Sequence, residues 1–207
     1  SPVAFPSHVA VVDFGKTNIK LAIVDLEAEI EVAERRMPNE VRRDGPFPHY
    51  DTEQHWRFLL DALTELGADW PIGAIAITTH GATAALVDEA GGLVLPILDY
   101  EHPLPATGYD ALRPDFAVTG SPRLGAGLNL GAQLHWLFTA FPEARERTAH
   151  ILTYPEYWAM RLCGVPAIAA TSLGCHTDLW APWDRDFSPL VDAMGWRRLM
   201  HAPRRAG

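Results

Sequence analysis

The sequence is poor in several things that would place it quickly. It holds two cysteines, Cys163 and Cys175, too few for a disulfide framework or a four-cysteine zinc site. No apolar run approaches the ~20 residues needed to span a bilayer. The start, Ser1-Pro-Val-Ala-Phe-Pro6, has neither the basic residues nor the long apolar stretch of a signal peptide. Basic residues cluster no further than pairs, such as Arg197-Arg198 and Arg204-Arg205, and the formal net charge is −9. That balance argues against a nucleic-acid partner. Internal repeats and low-complexity segments are missing as well. What is present is ordinary for a folded chain: 207 residues, 48% apolar and 21% charged. These features lead us to expect one sizeable cytoplasmic domain with no membrane partner. Nothing in them excludes a homo-oligomer.

Apolar patterning predicts three opening strands, Val9–Val12, Ile19–Val24 and Ile30–Arg36. A proline- and glycine-bearing loop comes next, over 37–51. Trp56, Leu59, Leu60, Leu63 and Leu66 then recur at helical spacing, with Thr52 as cap and Gly67 as stop. Further strands are predicted over Ile72–Thr78, Ala82–Val87, Leu93–Leu98 and His150–Thr153. Helices are predicted over Leu130–Ala140, Pro142–Thr148 and Tyr154–Leu162. Strands first, then strands alternating with helices, give an α/β class with a mixed sheet.

The strongest chemical signal is Asp13-Phe-Gly-Lys-Thr-Asn-Ile-Lys20. Gly15-Lys16-Thr17 imitates the end of a P-loop, but Ala10 stands where that motif needs glycine. The next residues are also β-formers rather than the start of a helix. A phosphate-binding hairpin fits better. Gly15 lets the backbone approach a phosphate, Thr17 and Asn18 offer short donors, and Lys16 and Lys20 supply charge. Asp13 can hold Mg²⁺ directly or through water. The competing reading is an ordinary hairpin with Asp13 at its turn.

Together with segments further along the chain, this hairpin resembles the first phosphate motif of FGGY-family sugar kinases, members of the actin/Hsp70/hexokinase superfamily. Its Thr-Asn pair is similar to the L-fuculokinase branch. Further likenesses come in family order. They are Ile75-Ala-Ile-Thr-Thr-His-Gly81, Leu95-Pro-Ile-Leu-Asp-Tyr-Glu101, Gln133-Leu-His-Trp136, His150 to Trp158, Arg161-Leu-Cys-Gly164, Thr171-Ser-Leu-Gly-Cys-His-Thr177 and Arg185-Asp-Phe-Ser188. The resemblance implies a ribonuclease-H-like domain with a mixed, five-stranded-type sheet flanked by helices. It implies that Asp13, Gly15, Lys16, Thr17, Asn18 and Lys20 line the site of Mg²⁺ and the ATP phosphates. His80, Gly81, Asp99, Tyr100 and Glu101 would contact a small-molecule sugar. The catalytic base, an aspartate in a glycine-rich segment of the family, is expected beyond Gly207, in a C-terminal ATP-binding kinase domain that these residues do not include. The chain alone is therefore expected to be inactive.

Departures from the family pattern blur the choice of sugar. Thr79 replaces the usual residue before His80, Asp99-Tyr-Glu101 replaces Trp-x-Asp, and Leu173 breaks a serine-acid pair. A ketose or deoxy-ketose is expected. Plainer readings are a solvated strand end for Asp99 and Glu101 and a turn histidine for His80. Two other functions compete: a catalytically dead sugar-binding relative, and an actin- or Hsp70-like ATPase acting on a protein partner.

Three decoys carry less. Gly125-Ala-Gly-Leu-Asn-Leu-Gly131 imitates a dinucleotide fingerprint, but its spacing is one residue too long and no βαβ unit surrounds it. Cys175, His176 and Asp178 are too close in an extended chain to converge on one metal. Trp180, Trp183 and Phe187 are expected to pack against the sheet, since no basic residues interleave them.

Overall fold

The structure is a computed structural model describing residues 5–81, 83–105, 107–174 and 176–203. It divides into two compact units. One comprises the residues up to Arg42 together with Tyr50–His80; the other comprises Arg43–His49 together with the residues from Gly81 on.

The first unit is built on β1 (His8–Phe14), β2 (Asn18–Asp25) and β3 (Ile30–Pro38), a meander of antiparallel pairs. Two short strands come after it, β4 (Val41–Arg42) and β5 (His49–Tyr50). Then come helix α1 (Thr52–Asp69) and strand β6 (Ile72–Thr79), which returns parallel to β1. The expected mixed sheet is thus present, with four strands in the order β3-β2-β1-β6. The alternation of β1 and β2 explains its one-sided core. Ala10, Val12 and Phe14 share a face with Ile19, Leu21 and Ile23, and all six are essentially inaccessible. Against β2 and β3 lies α1, whose Leu59, Ala62 and Leu66 are buried. The other face carries Asp13 and Lys20, directly opposite each other across the β1–β2 pair.

Two local expectations are corrected in α1. Its cap is Asp51, not Thr52: the Asp51 carboxylate accepts the Gln54 N–H at 3.0 Å. Gly67 does not stop the helix, which runs on to Asp69 and ends where Trp70 N–H reaches Leu66 O at 3.0 Å. Glycine in a last turn only weakens a helix, and its φ need not turn positive there.

Buried on α1 is His55, 1% exposed, with its ring 6.5 Å from that of Phe14. Desolvation holds it neutral and lowers its pKa from 6.5 to about 4. The unfolded chain therefore binds a proton between those values that the folded chain refuses, so stability falls as pH drops from about 6.5 to 4. A thermal-melting series over that window should decline steeply, and His55→Gln should flatten the decline. Parallel slopes for the two proteins would disprove the assignment.

The second unit begins with β7 (Ala84–Val87) and β8 (Ile97–Leu98). Helices α2 (Phe116–Thr119), α3 (Leu130–Ala140) and α4 (Pro142–Arg147) come next. Strand β9 (His150–Thr153) pairs antiparallel with β7 and leads into α5 (Tyr154–Cys163). The chain then forms α6 (Ala170–Leu173), the hairpin β10 (Trp180–Ala181) with β11 (Asp186–Phe187), and α7 (Pro189–Ala193). Leu86, Ile97, Leu152, Tyr154, Tyr157, Trp158 and Trp196 fill its core. Gln133, fully buried on α3, accepts the Ala84 N–H and donates to Gly127 O, fastening helix to strand and loop.

The strand expected over Leu93–Leu98 shrinks to Ile97–Leu98. Pro96 lacks an N–H and interrupts the ladder, leaving Leu93 in an isolated bridge with Val87. The first residue of the expected Ala82–Val87 strand, Ala82, lies outside the described residues. The aromatic run is only partly a packing feature. Trp180 and Phe187 meet edge to face at 5.9 Å, but Trp183 sits in the turn between β10 and β11, 79% exposed. Cys175 also lies outside the described residues.

Candidate functional site

The hairpin between β1 and β2 is tight for a reason visible atom by atom. Gly15 N–H donates to Asn18 O at 2.9 Å. A Cβ on Gly15 would stand 2.8 Å from that same oxygen, so only glycine closes this turn without displacing backbone. Asn39, just past β3, clamps the hairpin from the side. Its N–H donates to Thr17 O at 2.9 Å and its Nδ2 to Gly15 O at 2.8 Å. Asn39 is 7% exposed, whereas Asp13, Thr17 and Asn18 are exposed. The clamp thus holds the loop while its polar side chains stay open to solvent. The Asn18 amide donates to Thr17 Oγ1 at 3.2 Å, so the two short donors stand side by side.

The two lysines differ in environment. Lys16 reaches back to Tyr50, donating to its hydroxyl at 3.4 Å with the ammonium 5.5 Å from the ring centroid. Lys20 is held by two carboxylates of β3, Glu31 at 2.7 Å and Glu34 at 3.1 Å. Those hydrogen bonds raise the Lys20 pKa and spread its charge over two acids. The Tyr50 ring also packs at 4.9 Å on that of His80, whose backbone N–H donates to Phe14 O at 2.7 Å. Asp13, Gly15, Lys16, Thr17, Asn18 and His80 are therefore brought together at one end of the sheet of the first unit, with Lys20 turned toward β3.

Gly81, Asp99, Tyr100 and Glu101 belong to the second unit. Asp99 is 6% exposed, and its Oδ1 accepts the Glu101 N–H at 3.1 Å. Its carboxylate thus serves a local turn, one also closed by His102 N–H on Asp99 O at 2.9 Å. Glu101 is exposed and Tyr100 half-buried. The glycine-rich decoy has a structural use here. Gly127 N–H donates to Tyr100 O at 2.9 Å, and a Cβ on Gly127 would lie 3.1 Å from the Tyr100 Cα. That close approach positions the 99–101 segment.

Asn39 and Tyr50 are invisible to sequence patterning because both lie in or beside the stretch that reads as loop. A lone Asn after Pro38 carries no periodic signal. Among the described residues, no group of three or more His, Cys, Asp and Glu side chains is placed to hold a metal. Among them, too, no helix is long and apolar enough to cross a membrane.

No protein-family model matches the chain. Over 203 residues it is 29% identical to L-fuculokinase from Escherichia coli K12, covering 88% of this chain and 40% of that protein. A crystal structure of a carbohydrate kinase from Novosphingobium aromaticivorans superposes with a TM-score of 0.88 at 36% identity, over 98% of this chain and 43% of that one. Xylulose kinase from Rhodospirillum rubrum gives a TM-score of 0.82 at 19% identity, over 95% and 43%. The chain thus spans about two fifths of the length of the relatives it matches. In sequence and in its actin/hexokinase-like fold, the chain corresponds to the N-terminal domain of FGGY-family carbohydrate kinases.

Proposed function

We propose that these 207 residues carry the first phosphate loop and a share of the sugar pocket of an ATP-dependent carbohydrate kinase. The observation that carries the reading is the clamped Asp13–Asn18 hairpin, whose glycine is sterically required and whose polar side chains face solvent. Phosphoryl transfer asks little covalent chemistry of a protein. It asks for N–H and cationic groups around the phosphates, a positioned hydroxyl, and an acceptor for its proton. In this proposal Gly15 lets the backbone come close to the phosphates, Thr17 and Asn18 supply donors, and Lys16 supplies charge. Lys20 acts at a distance, because Glu31 and Glu34 already hold its ammonium.

The donor set at Asp13 fits Mg²⁺. This ion keeps several waters and is held by one or two carboxylates plus substrate phosphates, so a single exposed carboxylate suffices. Bound there with ATP, the ion would neutralise charge on the transferred phosphoryl group. Glu101 is proposed to accept hydrogen bonds from sugar hydroxyls, His80 to hydrogen-bond them through its ring, and Tyr100 to offer an apolar wall. Asp99 acts through the turn it stabilises. The substrate is proposed to be a ketose or deoxy-ketose. The catalytic base is proposed to come from sequence outside these residues, in a C-terminal kinase domain.

The test is a coupled ADP-release assay on the full-length protein across ketoses, deoxy-ketoses and polyols. ATP-dependent phosphorylation of one or more is expected. The 207-residue chain alone is expected to give none, even at high enzyme concentration. Turnover by the purified chain would place the base within it and overturn the division of labour. No turnover by the full-length protein with any sugar, despite sugar binding, would favour the catalytically dead relative.

A further inference from the structure

The contacts proposed for phosphate and for sugar start from neighbouring strands. Strand β1 ends at Phe14, just before the hairpin that carries Lys16, and β6 ends at Thr79, next to His80. Phe14 and Thr79 are partners in the parallel β1–β6 pair, and His80 N–H continues that pairing onto Phe14 O at 2.7 Å. Register therefore brings the hairpin and His80 to one end of the sheet. Backbone pairing sets where the two side chains begin. It does not set where their tips go, because lysine and histidine keep rotamer freedom beyond Cα.

Tyr50 touches both tips. It closes β5 and is 1% exposed, so it acts through its neighbours rather than on a ligand. Its hydroxyl accepts a hydrogen bond from Lys16 Nζ at 3.4 Å, and the ammonium lies 5.5 Å from the centre of its ring. The same ring packs on that of His80, with centroids 4.9 Å apart and planes inclined by 46°. The support is itself held. The next residue, Asp51, caps α1 through Gln54 N–H at 3.0 Å and accepts from Arg42 Nη1 at 3.0 Å. Tyr50 is thus fixed between a strand and a fastened helix start. A phenol is a neutral acceptor, so it orients an ammonium without cancelling its charge, unlike the two carboxylates that hold Lys20.

We infer that Tyr50 is a positioning residue for phosphoryl transfer: its hydroxyl aims Lys16 at the ATP phosphates, and its ring holds His80 toward the sugar. This rests on the kinase reading above. One buried side chain then supports both halves of the site. The two roles are separable, because the hydroxyl serves one and the ring serves the other.

The test is steady-state kinetics on the full-length protein, with the ketose or deoxy-ketose that gives the highest turnover. Tyr50→Phe deletes only the hydroxyl. It should raise the KM for ATP roughly three- to tenfold, the worth of one hydrogen bond, and leave the sugar KM within about twofold. Tyr50→Leu removes the ring as well and should raise both KM values. In a Lys16→Met background the hydroxyl has no ammonium to aim, so adding Tyr50→Phe should move the ATP KM by less than about twofold. A residue that only fills the core would behave otherwise. Phenylalanine packs as tyrosine does, so both KM values of Tyr50→Phe would match wild type. That result, or an undiminished effect of Tyr50→Phe beside Lys16→Met, would overturn the inference while wild-type turnover kept the kinase reading intact. No turnover by the wild-type protein would overturn the kinase reading and this inference with it. Should Tyr50→Leu fail to fold, the Tyr50→Phe and Lys16→Met arms decide alone.

Discussion

Asp13→Asn in the full-length protein is expected to cut turnover by at least about 10³-fold while sugar affinity stays within a fewfold of wild type. The figure corresponds to ~4 kcal/mol of transition-state stabilisation, the several kcal/mol that a correctly held divalent ion supplies. Asparagine keeps the size and much of the hydrogen bonding of aspartate but loses the charge that holds a hard cation. The substitution should also spare the fold, because Asp13 is exposed and lies opposite Lys20, whose ammonium is held by Glu31 and Glu34 instead. Paired measurements decide the matter: initial rates across Mg²⁺ concentration, and calorimetric titration of sugar without nucleotide. Turnover within tenfold of wild type would remove Asp13 from the metal site. Loss of sugar binding along with turnover would mean that the hairpin, not the ion, had been disturbed.

The largest stability effect should come from a place with no proposed chemistry. Asp178 is fully buried, with φ +60°, and anchors the second unit. Its carboxylate takes both a fork from Arg113 (Nε at 3.1 Å, Nη2 at 2.9 Å) and the Tyr109 hydroxyl at 2.7 Å. Arg113 Nη2 continues to Ser121 O at 2.9 Å, and the Tyr109 hydroxyl oxygen, its one proton directed at Asp178, also lies 3.2 Å from Oδ1 of Asn129, the cap of α3. Burial, reinforced by the bond to Asp178, pushes the Tyr109 phenol far above its ordinary range, so it remains a donor at any working pH. Asp178→Ala leaves the largely buried Arg113 without its counter-charge, a loss of ~3–5 kcal/mol. For a chain of this length that corresponds to roughly 6–20 °C in melting temperature. Calorimetry on the purified variant checks it. A shift under about 2 °C would show that water or a rearranged Arg113 compensates. Asp178→Asn should fall between the two, since an amide can still accept from Tyr109 but cannot neutralise Arg113.

Asp178 also marks where a sequence stops being informative. Along the chain it belongs to a Cys175-His176-Asp178 cluster whose members are too close together to share a metal. Its actual partners lie 65 and 69 positions away, and no local pattern announces a pairing at that separation. Asn39 is similar: it clamps Gly15 from 24 positions away. The lysines show the limit from the other side. Lys16 and Lys20 look alike beside a phosphate motif, yet one reaches an aromatic ring and the other is claimed by two glutamates, an outcome set by β2–β3 register.

The elements themselves are mostly legible, because their determinants are local. Short apolar, β-rich runs specify β1, β2 and β6, helical spacing specifies α1 and α3, and the Gly15 turn arises from its own steric demand. Boundaries slip where one backbone group decides them, as at Pro96 and at the Asp51 cap. By itself, then, the sequence determined the α/β class, the opening meander and the hairpin with Asp13 at its mouth, and the order of its motifs pointed to the sugar-kinase family. Tertiary structure alone decided which charges are neutralised and which are left over. Lys20 and Asp178 are neutralised by partners that only folding delivers, while Arg145 and Arg198, among the described residues, pair with no carboxylate. Charge pairing depends on distance in space and on burial, and neither is written in the spacing of residues along a chain.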